Sequence, residues 1–335
     1  MLAVRPVRFV VASLLGTCLW LILPVSTVRA DDTDRGTTFA GLIRAETLRT
    51  LSAVSQYIAD HPEADDVNSA YRWVFETAMS RGLETEALET ATACLSRGTA
   101  AADVLTQARM VQCLGWAEAG DGSEAVAGFL DYLRTQRVRS PNQPVDFALR
   151  LAAKLRLAGE FDSAGEVSDQ LSTKFILNPQ VREICANHSA KLDLVGKPAP
   201  PIVAHDLNGD RIDLGTMDGQ VVLVDFWATN CPPCLEEFPR MTRLYADHHK
   251  RGFEIVGISL DQQPDLVKAF LEEWEIPWRI TLDADLTSSL RPAYNVMTIP
   301  SLFLIDRQGR VRQFDVRGAD LETAVGQLVS AQAGE

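Results

Sequence analysis

The stretch VVLVDFWATNCPPCLEEFP, residues 221–239, constrains the fold more than any other part of the chain. From Val221 to Thr229 it is almost wholly apolar, aromatic or β-branched, the composition of a strand covered on both faces. Cys231 and Cys234 follow, with Pro232 and Pro233 between them, and an amphipathic pattern then runs to about Gly252. Proline is tolerated in the first turn of a helix because the N–H groups there have no helical partner. The stretch therefore predicts a buried strand that delivers two cysteines to the start of a helix. Such a pair has three chemical readings: part of a zinc site, a structural disulfide, or a centre that exchanges electrons with other thiols.

The rest of 196–335 supplies a frame for that unit. VGKPAPPIVAHDLNGDRIDL predicts a linker and a short strand pair turned at 208–210. FEIVGISLD at 253–261 reads as a second buried strand and PDLVKAFLEEWEI as a helix. WRITLDAD and SLRPAYNVMTIP come next. SLFLIDRQGRVRQFD is a hairpin turned at Gln308-Gly309, and ADLETAVGQLVSAQ is a closing helix. Strands alternating with helices and ending in a hairpin predict an α/β sandwich with a mixed sheet.

Residues 31–195 have a different character, rich in Ala and Leu with polar breaks at short intervals. Gly82, Gly120 and Gly159 are each followed, five positions on, by Ala87, Ala125 and Ala164. Each of these segments precedes a second helical stretch, near 101–117, 143–157 and 177–190, and 44–81 fits as an earlier pair. A period near 40 with two helices per unit predicts an all-α helical-repeat domain. It loosely resembles tetratricopeptide repeats, without their full pattern of aromatic and proline positions. Such a domain either offers a concave surface to a protein partner, or docks on its own C-terminal neighbour or makes a dimer. Cys94 and Cys113 fall in the two helices of one predicted hairpin, offset by roughly 13 Å along the axis. A disulfide needs Cα atoms within about 7 Å. With Cys185, they are expected to be small buried apolar residues without a redox role.

Strand, Cys-x-x-Cys at a helix start, then Thr298-Ile299-Pro300 before the next strand is the thioredoxin pattern. Through VGKPAP, VVLVDFWATNCPPCLEEFP, VGISLD, YNVMTIPSLFLID and GRV, residues 196–335 resemble the TlpA/ResA family of exported or membrane-anchored thiol-disulfide oxidoreductases. Asn230 departs from the pattern, standing where many relatives have Trp. The resemblance implies a thioredoxin-like fold and a redox-active Cys231–Cys234 disulfide. Zinc wants four ligands, and no second cysteine pair exists here; His248 and His249 lie at the far end of the helix. A disulfide closing so short a loop constrains the unfolded chain little, so a structural role is weak. No metal or cofactor enters this scheme.

Within that frame Cys231, at the helix start, is expected to be the exposed nucleophile with a stabilised thiolate. Cys234, one turn in, resolves the mixed disulfide. Asp225 is expected to relay the proton of Cys234. Glu237 matches the family's active-site glutamate, whereas Glu236 fits a solvated helix face. Pro300 is expected to be cis after Ile299 and to present backbone to the substrate chain. Trp227, Pro232, Pro233, Thr298 and Ile299 are candidate substrate contacts, Trp227 reading equally well as core packing beneath the motif. The prolines remove two N–H donors that would favour a thiolate, which predicts a reductant. The expected partners are proteins carrying disulfides or thiols and a membrane-embedded electron donor. Cytochrome c assembly, copper-site assembly and general disulfide reduction all fit.

Two other classes stay open. A peroxidase of the peroxiredoxin type wants Thr three residues before the reactive cysteine, and Thr229 is two before Cys231. An adaptor would use the repeats to bind partners and the C-terminal domain as a scaffold.

Residues 1–30 have the form of an export signal. Arg5 and Arg8 precede an apolar run from Phe9 to Leu23, and Val28-Arg29-Ala30 fits a cleavage site. The rival is an uncleaved anchor, since Phe9–Val28 is just long enough to span a bilayer. Either way the expectation is a periplasmic protein, where thiol exchange is chemically possible. Without those residues 29 basic side chains face 45 acidic ones, shared evenly between the two halves. So acidic a surface repels phosphate backbones and argues against nucleic-acid binding.

Overall fold

The computed structural model describes residues 39–137, 140–286 and 288–331. The export signal expected over 1–30 lies outside the described residues. Thr47–Glu335 forms one compact unit. Among the described residues, no helix is long and apolar enough to cross a membrane.

Among the described residues eight helices come first: α1 (Phe39–Asp60), α2 (Val67–Arg81), α3 (Glu84–Arg97), α4 (Ala102–Ala119), α5 (Gly122–Thr135), α6 (Asn142–Leu157), α7 (Phe161–Lys174) and α8 (Pro179–Leu192). The sequence period has a direct cause. Gly82, Gly120 and Gly159 follow α2, α4 and α6 with φ of 64°, 83° and 86°. That conformation stops a helix at little cost only when no Cβ is present. Ala87, Ala125 and Ala164 are then fully buried in the next helix, where a small side chain lets neighbouring helices approach. Cys94, Cys113 and Cys185 are buried and unpaired in these packed layers. Burial pushes their thiols up, to about 11, 12 and 11 respectively.

The chain then forms a small antiparallel pair, β1 (Val203–His205) and β2 (Arg211–Asp213). A five-stranded sheet follows, built from β3 (Val221–Trp227), β4 (Phe253–Ser259), β5 (Arg279–Leu282), β6 (Ser301–Ile305) and β7 (Val311–Phe314) in the order β5-β4-β3-β6-β7. β3, β4 and β5 are parallel; β6 runs antiparallel to β3, and β7 to β6. Between strands lie α9 (Pro232–His248) and α10 (Pro264–Glu273), and α11 (Gly318–Ser330) closes the fold. The mixed sheet, the buried strands β3 and β4 and the final hairpin all match the sequence expectation.

Side chains alternate across the sheet. Val221, Leu223 and Trp227 of β3 face one core with α9, α10 and α11, which also contains Cys231 and Cys234. Val222, Val224 and Phe226 face the other core with Tyr294 and Phe303. Burying each such aromatic contributes about 2–3 kcal/mol. Asp225 falls in the register of Leu223 and Trp227, and so on the cysteine side.

The helical half docks on its C-terminal neighbour. The switch from helices to strands falls between α8 and β1, near the expected boundary at 195/196, yet Thr47–Glu335 is one compact unit. Arg156 of α6 is fully buried under β7. Its Nη2 donates to Phe314 O (2.8 Å), and its guanidinium lies 3.9 Å from the Phe314 ring centroid. Its Nη1 lies 2.8 Å from His188 Nε2. Guanidinium only donates, so Nε2 accepts and Nδ1–H donates to Ser168 Oγ (2.8 Å). Burial and the adjacent Arg156 hold His188 down to about 3, which keeps it neutral. Gln313 Nε2 donates to Arg156 O (2.9 Å).

Candidate active site

Cys231 is the N-cap of α9, with Pro232 and Pro233 in the first turn. The first N–H of the helix therefore belongs to Cys234, and it donates to Cys231 O (2.9 Å). Cys231 and Cys234 form a disulfide with S–S 2.02 Å and Cα–Cα 5.3 Å. The loop before it is tied to the end of β4. Asp261 accepts from Thr229 N (2.9 Å), Thr229 Oγ1 (2.8 Å) and Ser259 Oγ (2.8 Å). Sequence reasoning gave Asp261 no role, although an acid directly after a buried strand was visible in VGISLD.

The cysteines are less asymmetric than expected. Cys231 is 8% exposed and Cys234 2%. The expectation of an exposed nucleophile is corrected: in the disulfide, Cys231 packs into the core cluster of α9, and only its greater accessibility relative to Cys234 holds. Trp227 also departs from its candidate role. It is fully buried, edge-on to Phe238 at 5.0 Å and tilted against Phe270 at 5.4 Å, so it cannot touch a substrate. Pro232, Pro233 and Thr298 are exposed, Ile299 is half-buried and Met297 is 43% exposed, giving the rim of the site an apolar character.

The Ile299–Pro300 peptide is cis, as the resemblance implies, and leads directly into β6. Pro300 O accepts from Arg317 Nη2 (2.6 Å). Glu237 Oε2 accepts from Gly318 N (3.4 Å) and lies 3.9 Å from Arg240 Nε. Between these groups sits Asp225, 2% exposed, with Oδ2 buried and unpartnered among the described residues. Burial pushes its carboxyl up to about 7, against the pull of Arg317 and with a push from Glu237. Arg317 carried no signal in the sequence; only the fold brings it beside Pro300 and Asp225.

This gives a pH prediction. The folded chain keeps a proton on Asp225 that the unfolded chain releases above about pH 4. Stability should therefore fall as pH rises from about 4 to about 7, by up to about 1.4 kcal/mol per pH unit, and level off above. Asp225→Asn should remove that fall. Urea denaturation of both proteins across this range is the check, and parallel profiles would mean Asp225 titrates normally.

The AhpC/TSA family pattern matches residues 195–314. The thiol-disulfide oxidoreductase ResA of Bacillus thuringiensis subsp. konkukian is 34% identical over 124 residues, which cover 37% of this chain and 70% of that protein. The chain belongs to the ResA family of thiol-disulfide oxidoreductases. ResA of Bacillus subtilis is 35% identical over 116 residues, 35% of this chain and 64% of that one. A solved thioredoxin domain of a Bacteroides vulgatus thiol-disulfide oxidoreductase is 31% identical, with 41% of this chain and 98% of that domain covered and a TM-score of 0.39. In this oxidoreductase the ResA match thus takes in little more than a third of the chain, and the helical stack is an addition to it.

Proposed function

We propose that this oxidoreductase is an exported reductant of protein disulfides. The observation that carries the site assignment is Asp225: a buried carboxyl with an unpartnered oxygen, on the cysteine face, titrating near neutrality. In the reduced protein the Cys231 thiolate attacks one sulfur of a substrate disulfide. A mixed disulfide forms and the other substrate sulfur leaves as a thiolate. Cys234 then loses its proton to Asp225, directly or through Glu237, and attacks Cys231 Sγ. The second substrate sulfur is expelled, and two electrons have passed to the substrate. The backbone at Thr298 and Ile299 pairs with the substrate chain, and Pro232 and Pro233 line its other side.

The reading 1–30 invites, an export signal or anchor, supports a periplasmic location. A reductant there needs recharging, which implies a membrane-embedded donor of electrons. The helical pairs, at their spacing of 38 and 39 residues, are TPR-like and serve to select the protein partner. The disulfide of an apocytochrome c, reduced to its two thiols, is one substrate class this would suit.

The direction follows from Pro232 and Pro233, which leave the helix start without two amide donors that would favour a thiolate. Redox titration of the full chain against glutathione tests it. The midpoint should lie nearer the roughly −270 mV of thioredoxin than the roughly −120 mV of a strong oxidant, and a value above about −180 mV would reverse the assignment. A peroxidase reading draws on the AhpC/TSA match. The Thr229 hydroxyl, engaged by Asp261 at 2.8 Å, weighs against it.

A further inference from the structure

Among the described residues, two that are not glycine have positive φ: Asn295 (52°) and Asp315 (51°). Few residues with a Cβ enter that region, Asn and Asp most readily. These two bracket the segment that contains cis-Pro300. Asn295 lies five positions before it. Asp315 follows β7, and its N–H donates to Leu302 O (2.7 Å).

Both are held by α8, the last helix of the stack. Asn187 Nδ2 donates to Asn295 O (2.6 Å), and Asn295 Nδ2 donates to Ala190 O (3.0 Å). Lys191 Nζ donates to Asp315 Oδ2 (2.6 Å) and to Ser301 Oγ (2.8 Å). Asp315 Oδ1 accepts from Ser301 Oγ (2.9 Å) and Leu302 N (3.1 Å). Lys191 is 3% exposed, and a buried ammonium is tolerated only when paired and hydrogen-bonded as this one is. Ser301 follows Pro300 and points away from the cysteine face. Arg317 grips Pro300 O, so the segment is fixed by Arg317 at one end and by α8 through Ser301. Every one of these bonds is local to residues 295–302 or their immediate supports.

We infer that α8 positions the substrate-pairing backbone of the redox site, with Lys191 and Asn187 as the positioning residues. This rests on the reading of Cys231–Cys234 as the redox centre and of residues 298–300 as the backbone that meets substrate. The helical stack is then a structural part of substrate capture, whatever else it binds. Lys191 acts on a polypeptide substrate by holding Ser301 and Asp315, and so acts on binding more than on sulfur chemistry.

The test uses the full chain reducing insulin, with dithiothreitol recharging the dithiol. Lys191→Met should raise the KM for insulin about tenfold while kcat changes less than about twofold. Lys191→Arg, which keeps charge and donors, should recover most of that loss. Asn187→Ala should move KM the same way by about threefold. An unchanged KM in a folded Lys191→Met protein, or a loss confined to kcat, overturns the inference. If Lys191→Met does not fold by circular dichroism, Asn187→Ala decides alone, because its side chain is only half-buried, and an unchanged KM there is decisive. Cys231→Ser separates the two levels. Insulin reduction that survives it would sink the redox assignment itself, whereas its loss together with an unaltered KM in the α8 variants would sink only the role of α8.

Discussion

A Cys231→Ala protein is expected to lose insulin reduction by about 10³-fold or more, while Cys234→Ala stalls as a covalent complex with its substrate. The difference lies in where α9 begins. Cys231 is its N-cap, at the positive end of the helix dipole, and is the more accessible of the two sulfurs. Cys234 is a turn deeper in the core cluster on the cysteine side of β3, the side that also carries Asp225, where it meets only the sulfur already joined to Cys231. Without Cys231 there is nothing to open the substrate disulfide. Without Cys234 the mixed disulfide has no internal thiol to release it. Non-reducing electrophoresis of Cys234→Ala mixed with disulfide-bearing proteins should show new bands that dithiothreitol removes. Bands of that kind with Cys231→Ala, or alkylation of reduced protein first at Cys234, would invert the order.

Arg156→Ala is expected to destabilise the protein by about 3 kcal/mol. Truncation strands two buried acceptors, Phe314 O and His188 Nε2, at about 1–3 kcal/mol each, and opens a cavity against the Phe314 ring. Partly offsetting this, the guanidinium no longer has to be desolvated; burial already lowers it to about 10, so it stays charged at neutral pH. The single compact unit over Thr47–Glu335 predicts that helices and sheet weaken together. Urea denaturation followed by far-UV circular dichroism and by tryptophan fluorescence should show one earlier transition in both signals. A change below about 0.5 kcal/mol would mean desolvation cancels the bonds.

Most of the architecture was legible because it answers to local demands. Positive φ after α2, α4 and α6 leaves glycine as the natural residue, and close helix packing calls for Ala87, Ala125 and Ala164. Both constraints recur at the period of the helix pairs. β3 and β4 are buried on both faces, so their apolar runs had no competing reading. The cysteine pair, Asp225 and the proline of the cis peptide sit in one recognisable frame. The join between helices and sheet was not legible. Arg156, His188 and Lys191 look like the polar face of any surface helix, and their burial depends on strands more than 100 residues away. Asp261 and Arg317 act through loops whose approach no periodicity encodes. Trp227 stayed open between substrate contact and packing beneath the motif for a related reason: an aromatic beside a reactive pair looks the same in sequence whether it lines a surface or lies beneath it.

The three unpaired cysteines of the helical stack bear on how the redox pair keeps its own partner. Thiol exchange runs through the thiolate, and with thiols pushed to about 11 and 12, only about 10⁻⁴ to 10⁻⁵ of these groups are ionised at pH 7. They are also sealed in packed layers, out of reach of any attacking sulfur. Among the described residues a thiol-disulfide oxidoreductase thus carries three spare thiols that are silent bystanders. Loosening those layers would turn them into competitors, and scrambled internal bridges would be the first sign that the stack had come apart.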